Sequence, residues 1–212
     1  MKIQLYYAPT ACSLVPWVTL TEAKAPFETM LINMRKGQQS SSEYLTLNPK
    51  HKVPLLVIDG QPLSENVAIQ MWIARQFPAA RLLPEDPMQE LQAVSDMAWF
   101  ASGVHPHLSR INSPSKFAGE GADDAVKRLA WEQLQENFAI ADKKLAGREF
   151  FFDHFTAVDA YFFWCFRRAT QLKTPLSQFA NCEALFARLQ NRPSIAAVLA
   201  FEKKTMEAQA QG

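Results

Sequence analysis

The chain has 212 residues, enough for one large domain or two small ones, and its 48% hydrophobic and 20% charged content is that of an ordinary globular protein. A net charge of +1 gives no electrostatic case for binding nucleic acid or an anionic membrane. Three cysteines (Cys12, Cys165, Cys182), an odd number with no CxxC and no Cys/His spacing for a metal, fit a reducing cytoplasm better than a disulfide scaffold.

Residues 2–7 alternate through Ile3, Leu5 and Tyr7 and read as a first strand. The opening MKIQLYYAP is strand-like and lacks the apolar core of a signal peptide. A turn through Ala8-Pro9-Thr10-Ala11 leads to a helix starting near Cys12-Ser13, with Leu14, Trp17, Val18 and Thr21 at helical spacing. Pro16 suits only a first turn, where its missing N–H has no partner to lose. Phe27, Thr29 and Leu31 mark a second strand, and residues 35–46 form a polar loop with a short irregular helix.

The stretch KVPLLVIDGQPLSENVAIQMWI, Lys52 to Ile73, carries the densest signals. Leu55 to Ile58 is a short apolar run, as expected of a strand buried on both faces. Asp59-Gly60 is a hairpin turn, because Gly tolerates positive φ. Pro62 cannot donate to a ladder, so the strand after the turn lies at an edge. Val53-Pro54 is either a blunt strand start or a cis bond that turns a backbone edge outward. Ser64-Glu65-Asn66 opens an apolar helix whose free N–H groups and positive dipole suit a ligand carboxylate. Together these features point to an extended, peptide-like ligand that pairs with Val53 and rests its carboxylate end on the helix start.

Phe77 to Pro87 holds Pro78, Pro84 and Pro87 without apolar periodicity and reads as a linker. Beyond it only helices are expected. Leu91, Val94, Ala98 and Ala101 give one face, and Trp131, Leu134, Phe138, Ala141 and Leu145 another, stopped by Lys143, Lys144 and Gly147. Thr156-Ala157-Val158-Asp159 has the form of a capping box with Asp in place of Glu. It opens an apolar helix with Val158, Tyr161, Phe162, Cys165, Phe166 and Ala169. Asp153, His154 and Asp159 interrupt the most apolar stretch, Phe150 to Phe166, so no membrane span is predicted. A short helix around Leu185, Phe186 and Leu189 and another from Pro193 follow, with a frayed tail after Met206.

The element order is β-α-β, a polar stretch, then β-β-α, the order of a thioredoxin-like domain, followed by an all-helical domain. The expected boundaries are 1–77, a linker 78–87, and 88–212. This α/β thioredoxin-like plus all-α plan resembles the cytosolic glutathione transferases over essentially the whole chain. YYAPTACSL resembles the N-terminal signature of the bacterial beta class, NPKHKVPLLVIDGQPLSENVAI the family's glutathione-site block, and FTAVDAYFF the cap of the core helix in the second domain.

The resemblance implies specific roles. Val53, beside Pro54, pairs with the cysteinyl unit of glutathione, and Glu65 and Asn66 receive the γ-glutamyl end. Lys36 contacts the glycine end, and Lys52 adds a positive charge there. Cys12 and Ser13 lie near the sulfur with Tyr7 behind, and His105 and Ser102 approach from the second domain. Glutathione is then the co-substrate of a cytoplasmic homodimer that conjugates it to small hydrophobic electrophiles, a detoxification role.

Two alternatives stand beside this one. Cys12 could run thiol-disulfide reductase or peroxidase chemistry through a mixed disulfide with glutathione. Or the chain binds glutathione or a protein partner without turnover. Ala98, where beta-class members often carry Asn, and Pro106, where Lys often follows the His, favour that last reading.

Overall fold

The computed structural model describes residues 1–210. It divides into two compact units, residues 1–82 together with the terminal segment from Asn191, and residues 83–190.

In the first unit, strand β1 (Ile3–Tyr7) leads through a turn into helix α1 (Leu14–Glu22) and back into β2 (Glu28–Leu31). Two 3-10 turns and helix α2 (Ser42–Leu47) fill the polar stretch. Strand β3 (Leu55–Ile58), strand β4 (Gln61–Ser64) and helix α3 (Asn66–Gln76) complete the thioredoxin-like order. The sheet runs β2-β1-β3-β4, with β1 parallel to β2 and antiparallel to β3. Asp59 and Gly60 both take positive φ (45° and 84°), the hairpin geometry that Asp-Gly favours. Pro62 sits opposite Val57 on the edge strand, where its missing N–H faces no ladder partner.

Alternation in β1 decides which residue faces which layer. Ile3, Leu5 and Tyr7 are buried, while Gln4 and Tyr6 are half-buried on the opposite face. Tyr6, Leu55 and Val57 pack with Tyr44 and Leu47 of α2. Helix α1 is buried from Leu14 to Leu20 because it packs against both α3 and helix α9 (Pro193–Ala210). The expected helical domain of 88–212 includes α9, but by its contacts α9 groups with the first unit. Phe201 stacks edge-on against Trp17, with ring centroids 5.2 Å apart. Glu22 accepts from Arg192 Nε (2.9 Å) and Nη2 (2.6 Å) and from Ser194 Oγ (2.6 Å). Met206, Gln209 and Ala210 line a cleft against the first two strands, so the helix extends past Met206, where the sequence predicted fraying, to Ala210. Gln211 and Gly212 of that tail lie outside the described residues.

Burial alone would push the Glu22 carboxyl up; the Arg192 and Ser194 hydrogen bonds, with the Arg192 charge, outweigh it and hold the carboxyl below its usual value. A lowered carboxyl stabilises the fold above its unfolded pKa, and that stability is lost as pH falls through the acid range. Glu22→Gln should therefore cost about 2 kcal/mol at pH 7, the worth of a charge-assisted pair. The two proteins should converge toward pH 3, as read by urea unfolding at both pH values.

The second unit holds helices α4 (Pro87–Trp99), α5 (His105–Asn112), α6 (Asp123–Lys144), α7 (Ala157–Gln171) and α8 (Ala180–Gln190). Asp86 caps α4 by accepting from Met88 and Gln89 N–H groups. The expected inner face of α4 is corrected: Leu91 and Ala98 are exposed, and Ala93, Met97 and Phe100 are buried. Ala93, Met97 and Phe100 keep the same helical spacing as Leu91, Val94 and Ala98, so spacing alone does not choose between the two faces; a π-helical turn, Phe100–Val104, follows. The core centres on α7, where Phe162 stacks on Phe166 (5.4 Å) and Phe138 of α6 meets Phe166 edge-on (5.3 Å). The capping box is present: Asp159 accepts from Thr156 N (2.7 Å), Thr156 Oγ1 (3.0 Å) and Phe151 N (3.0 Å). Among the described residues no helix is long and apolar enough to cross a membrane.

Candidate active site

Three segments of the first unit meet at Cys12. The thiol lies in the turn that carries β1 into α1, and it donates to the Val53 carbonyl at 3.4 Å. The Val53–Pro54 peptide is cis, the second of the two alternatives read from sequence. The Asn66 side-chain amide, on the first residue of α3, donates to the Cys12 carbonyl at 3.1 Å. Ser13, fully buried, locks the turn from inside: its hydroxyl donates to the Ala8 carbonyl and accepts from the Ala8 N–H, both at 3.2 Å. Cys12, Val53, Pro54 and Asn66 thus converge, with Ser13 beneath them and its hydroxyl committed to backbone.

Glu65 precedes α3 with φ 74° and ψ 122°, a conformation costly for a residue with a side chain. Its carboxylate is held by Lys50 Nζ at 2.7 Å, and the same ammonium donates to Ser64 Oγ at 3.0 Å. Both charged groups are more than half exposed, so the pair itself contributes little stability. The surrounding fold enforces the strained backbone. Glu65 stands at the N-cap of α3 without capping it through its side chain, and the first N–H groups of the helix have no intrahelical acceptor. Asn66 is buried, and its side-chain oxygen has no hydrogen-bond partner among the described residues.

Burial pushes the Cys12 thiol up to about 12, against the opposing pull of the Lys52 charge and the Asn66 hydrogen bond. In this state Cys12 is a protonated donor, and the thiolate fraction at pH 8 is minute. Iodoacetamide at pH 8 should label Cys12 about a thousandfold more slowly than a free cysteine, because only the thiolate attacks. Peptide mass analysis over time checks this. Cys165 and Cys182 are fully buried and provide the unreactive reference.

The other residues named from sequence fall elsewhere. Tyr7 is buried, packs its ring edge-on against Trp17 (4.4 Å) and shares a hydrogen bond with Thr205 of α9 (3.3 Å). Lys36 is exposed in a 3-10 turn, its N–H bonded to the Asn33 side chain (3.1 Å). Lys52 is exposed, and its carbonyl accepts from Tyr44 OH (2.6 Å) and Asn48 Nδ2 (2.7 Å). Ser102 and His105 belong to the second unit. There the Ser102 hydroxyl donates to the Ala98 carbonyl (2.9 Å) and the His105 ring meets Trp164 edge-on (4.4 Å).

Sequence reasoning missed the supports. Asn48 and Tyr44 both grip the Lys52 carbonyl, just before Val53; Asn48 stands inside the NPKHKVP block and was open to notice. Lys50, in the same block, steadies Glu65. Glu202 of α9, buried, accepts from the Thr10 N–H at 2.7 Å and so fastens the turn before Cys12. Nothing local marks Glu202, which stands 192 positions further along the chain.

A four-stranded mixed sheet of thioredoxin-like order, with a cysteine turn, a cis-proline and a helix start converging at one edge, defines a thiol- or peptide-handling site. Residues 1–75 match the family model "Glutathione S-transferase, N-terminal domain". Glutathione S-transferase GstA of Escherichia coli O157:H7 is 27% identical over 204 residues, covering 94% of this chain and 98% of that protein. The structure of a bacterial beta class glutathione S-transferase from Sphingomonas chungbukensis matches with a TM-score of 0.83 at 30% identity, over 94% of this chain and 98% of that one. A sphingomonad glutathione S-transferase solved in complex with glutathione matches equally well, at 0.83 and 29% identity, with the same coverage of both chains. The chain belongs to the glutathione S-transferase family.

Proposed function

We propose that the protein is a glutathione S-transferase that joins reduced glutathione to small hydrophobic electrophiles. The observation that carries this reading is the start of α3. A strained Glu65 presents its carboxylate there, and a buried Asn66 oxygen lacks a donor, directly beside the Cys12 turn. The γ-glutamyl end of glutathione supplies both missing partners, an ammonium for the acceptors and a carboxylate for the helix N–H groups. The extended peptide then pairs with the Val53 backbone, and its glycine end is drawn by Lys36 and Lys52. Val53 and Pro54 flank the sulfur together with Cys12 and Ser13.

A glutathione sulfur in this place lies near the thiol of Cys12. Because Cys12 stays protonated, it serves as a hydrogen-bond donor to the glutathione thiolate and not as the nucleophile. This favours conjugation over disulfide chemistry. Tyr7 braces the turn from behind, and Ser102 and His105 carry the roles that the family resemblance gives them. By the same reading the enzyme is a cytoplasmic homodimer of the beta class, with a role in detoxification. The exposed Met88 and Leu91 on α4 support a partner surface.

Incubation with reduced glutathione and 1-chloro-2,4-dinitrobenzene tests the reading. The sulfur–carbon bond forms, the carbon–chlorine bond breaks, chloride leaves and the thiol proton passes to solvent. Glutathione-saturable turnover that survives Cys12→Ala establishes conjugation. Turnover that disappears in that variant, with disulfide reduction present in the parent, establishes the reductase instead. Calorimetric binding of glutathione without either turnover leaves the binding-protein reading.

A further inference from the structure

Helix α3 carries two primary amides into the interior of the first unit. Asn66 opens the helix and Gln70 stands one turn later, so both lie on the same face. With Ile69 and Ile73 they make the buried side of α3, and α3 packs against α1. Gln70 is 0% exposed and Asn66 7%. Neither Nε2 nor Oε1 of Gln70 has a hydrogen-bond partner among the described residues, and Asn66 Oδ1 has none either. One turn of helix thus leaves three buried polar atoms over. A dry, unpaired amide is strongly disfavoured, and internal water holds such groups where the protein supplies no partner.

The nitrogen of Asn66 is already committed. Helix α1 cannot extend back to Cys12, because the N–H that would bond the Cys12 carbonyl belongs to Pro16 and is missing. That carbonyl accepts from the Val15 N–H at 3.1 Å, and Asn66 Nδ2 takes its second lone pair, also at 3.1 Å. Asn66 therefore stands in for the helix bond that Pro16 removes. Its oxygen, at the other end of the same planar amide, is the end left open.

We propose that internal water satisfies these amides, one molecule joining Gln70 Nε2 to Asn66 Oδ1, and that Gln70 is thereby the positioning residue for Asn66. The water accepts from the Gln70 amide and donates to the Asn66 oxygen. It so holds the Asn66 side chain in the orientation that keeps its N–H on Cys12. Side chains four apart on a helix start about 5–6 Å from each other, a separation that an amide–water–amide bridge spans. An amide oxygen has two lone pairs, so Asn66 keeps one for the γ-glutamyl ammonium. Gln70 acts only through Asn66.

Gln70→Met keeps the length of the side chain and removes its amide, and two readouts on it test the bridge. The urea midpoint of unfolding should fall, because Asn66 Oδ1 is left buried without a donor. In an Asn66→Ala background the same change should raise the midpoint, since no acceptor remains to be stranded. With reduced glutathione, Gln70→Met should raise KM about tenfold, the usual worth of one hydrogen bond, and leave kcat unchanged. Only this kinetic readout rests on the transferase reading. In the unsubstituted protein, NMR should show magnetisation passing from a long-lived bound water to the Gln70 amide protons, a measurement that needs no variant to fold. A midpoint that rises with Gln70→Met in both backgrounds, or Gln70 amide protons without a water contact, overturns the bridge. A KM that stays put overturns the positioning role. A protein that binds no glutathione by calorimetry removes the transferase reading, and the midpoints and the water signal still decide the bridge.

Discussion

Replacing Asp159 with alanine should lower the stability of the chain at pH 7 by about 3 kcal/mol, the cost of leaving buried donors of a charged acceptor unpaired. Asp159 is fully buried and is the common acceptor of the Thr156 N–H, the Thr156 hydroxyl and the Phe151 N–H. It thereby fixes both the start of α7 and the loop that precedes it. Since α7 is the centre of the second unit's core, the loss would not stay local.

The pH dependence has an unusual sign. Burial outweighs those hydrogen bonds and raises the Asp159 carboxyl from 3.8 to about 6. The folded chain therefore holds this proton more tightly than the unfolded one. The resulting stability is complete below the unfolded value of 3.8 and is lost as pH rises through about 6. The penalty of Asp159→Ala should grow as pH drops below 6, by up to about 3 kcal/mol for a shift of this size. Urea unfolding of parent and variant at pH 7, 6 and 5 reads it. A penalty that shrinks toward acid would show that the hydrogen bonds, and not burial, set the carboxyl.

Glu65→Gly should do two opposite things. Glycine tolerates the φ of 74° that Glu65 holds under strain, so the variant should gain about 1 kcal/mol of stability. Little is lost with the exposed Lys50 pair. On the proposed placement of glutathione, the variant lacks the carboxylate assigned to the γ-glutamyl ammonium: kcat/KM for glutathione should fall about a hundredfold, as expected of a lost charge-assisted contact. Asn66→Ala should match that fall in activity without the gain in stability, because its amide also holds the Cys12 carbonyl. Thermal unfolding and glutathione-saturation kinetics on the two variants separate the effects. Unchanged kinetics in both would move the ligand away from the start of α3.

How much could be read in advance depended on how local each cause is. The strand from Leu55 to Ile58, the Asp59-Gly60 turn, the edge position of Pro62 and the Thr156–Asp159 box rest on interactions within a few residues, so composition and spacing determined them. So did the burial of Cys165, which follows from the periodicity of α7. The inner face of α4 was misjudged because two sets of apolar residues keep helical spacing there, and only packing chooses Ala93, Met97 and Phe100 over Leu91, Val94 and Ala98. At the site, the residue types at Val53, Pro54, Glu65 and Asn66 led to the expectation of a peptide-binding edge, but their states were decided only by packing. Cys12 carries a raised thiol pKa because it is buried, against the opposing pull of Lys52 and Asn66. Glu65 holds its φ of 74° at the start of α3 because the surrounding fold imposes it. The cleft lined by Met206 and Gln209 exists because α9 folds back on the first strands. Local backbone preference thus determined the elements and the chemistry they offer. Desolvation, ion pairing and enclosure depend on residues distant in sequence, and only the tertiary structure sets them.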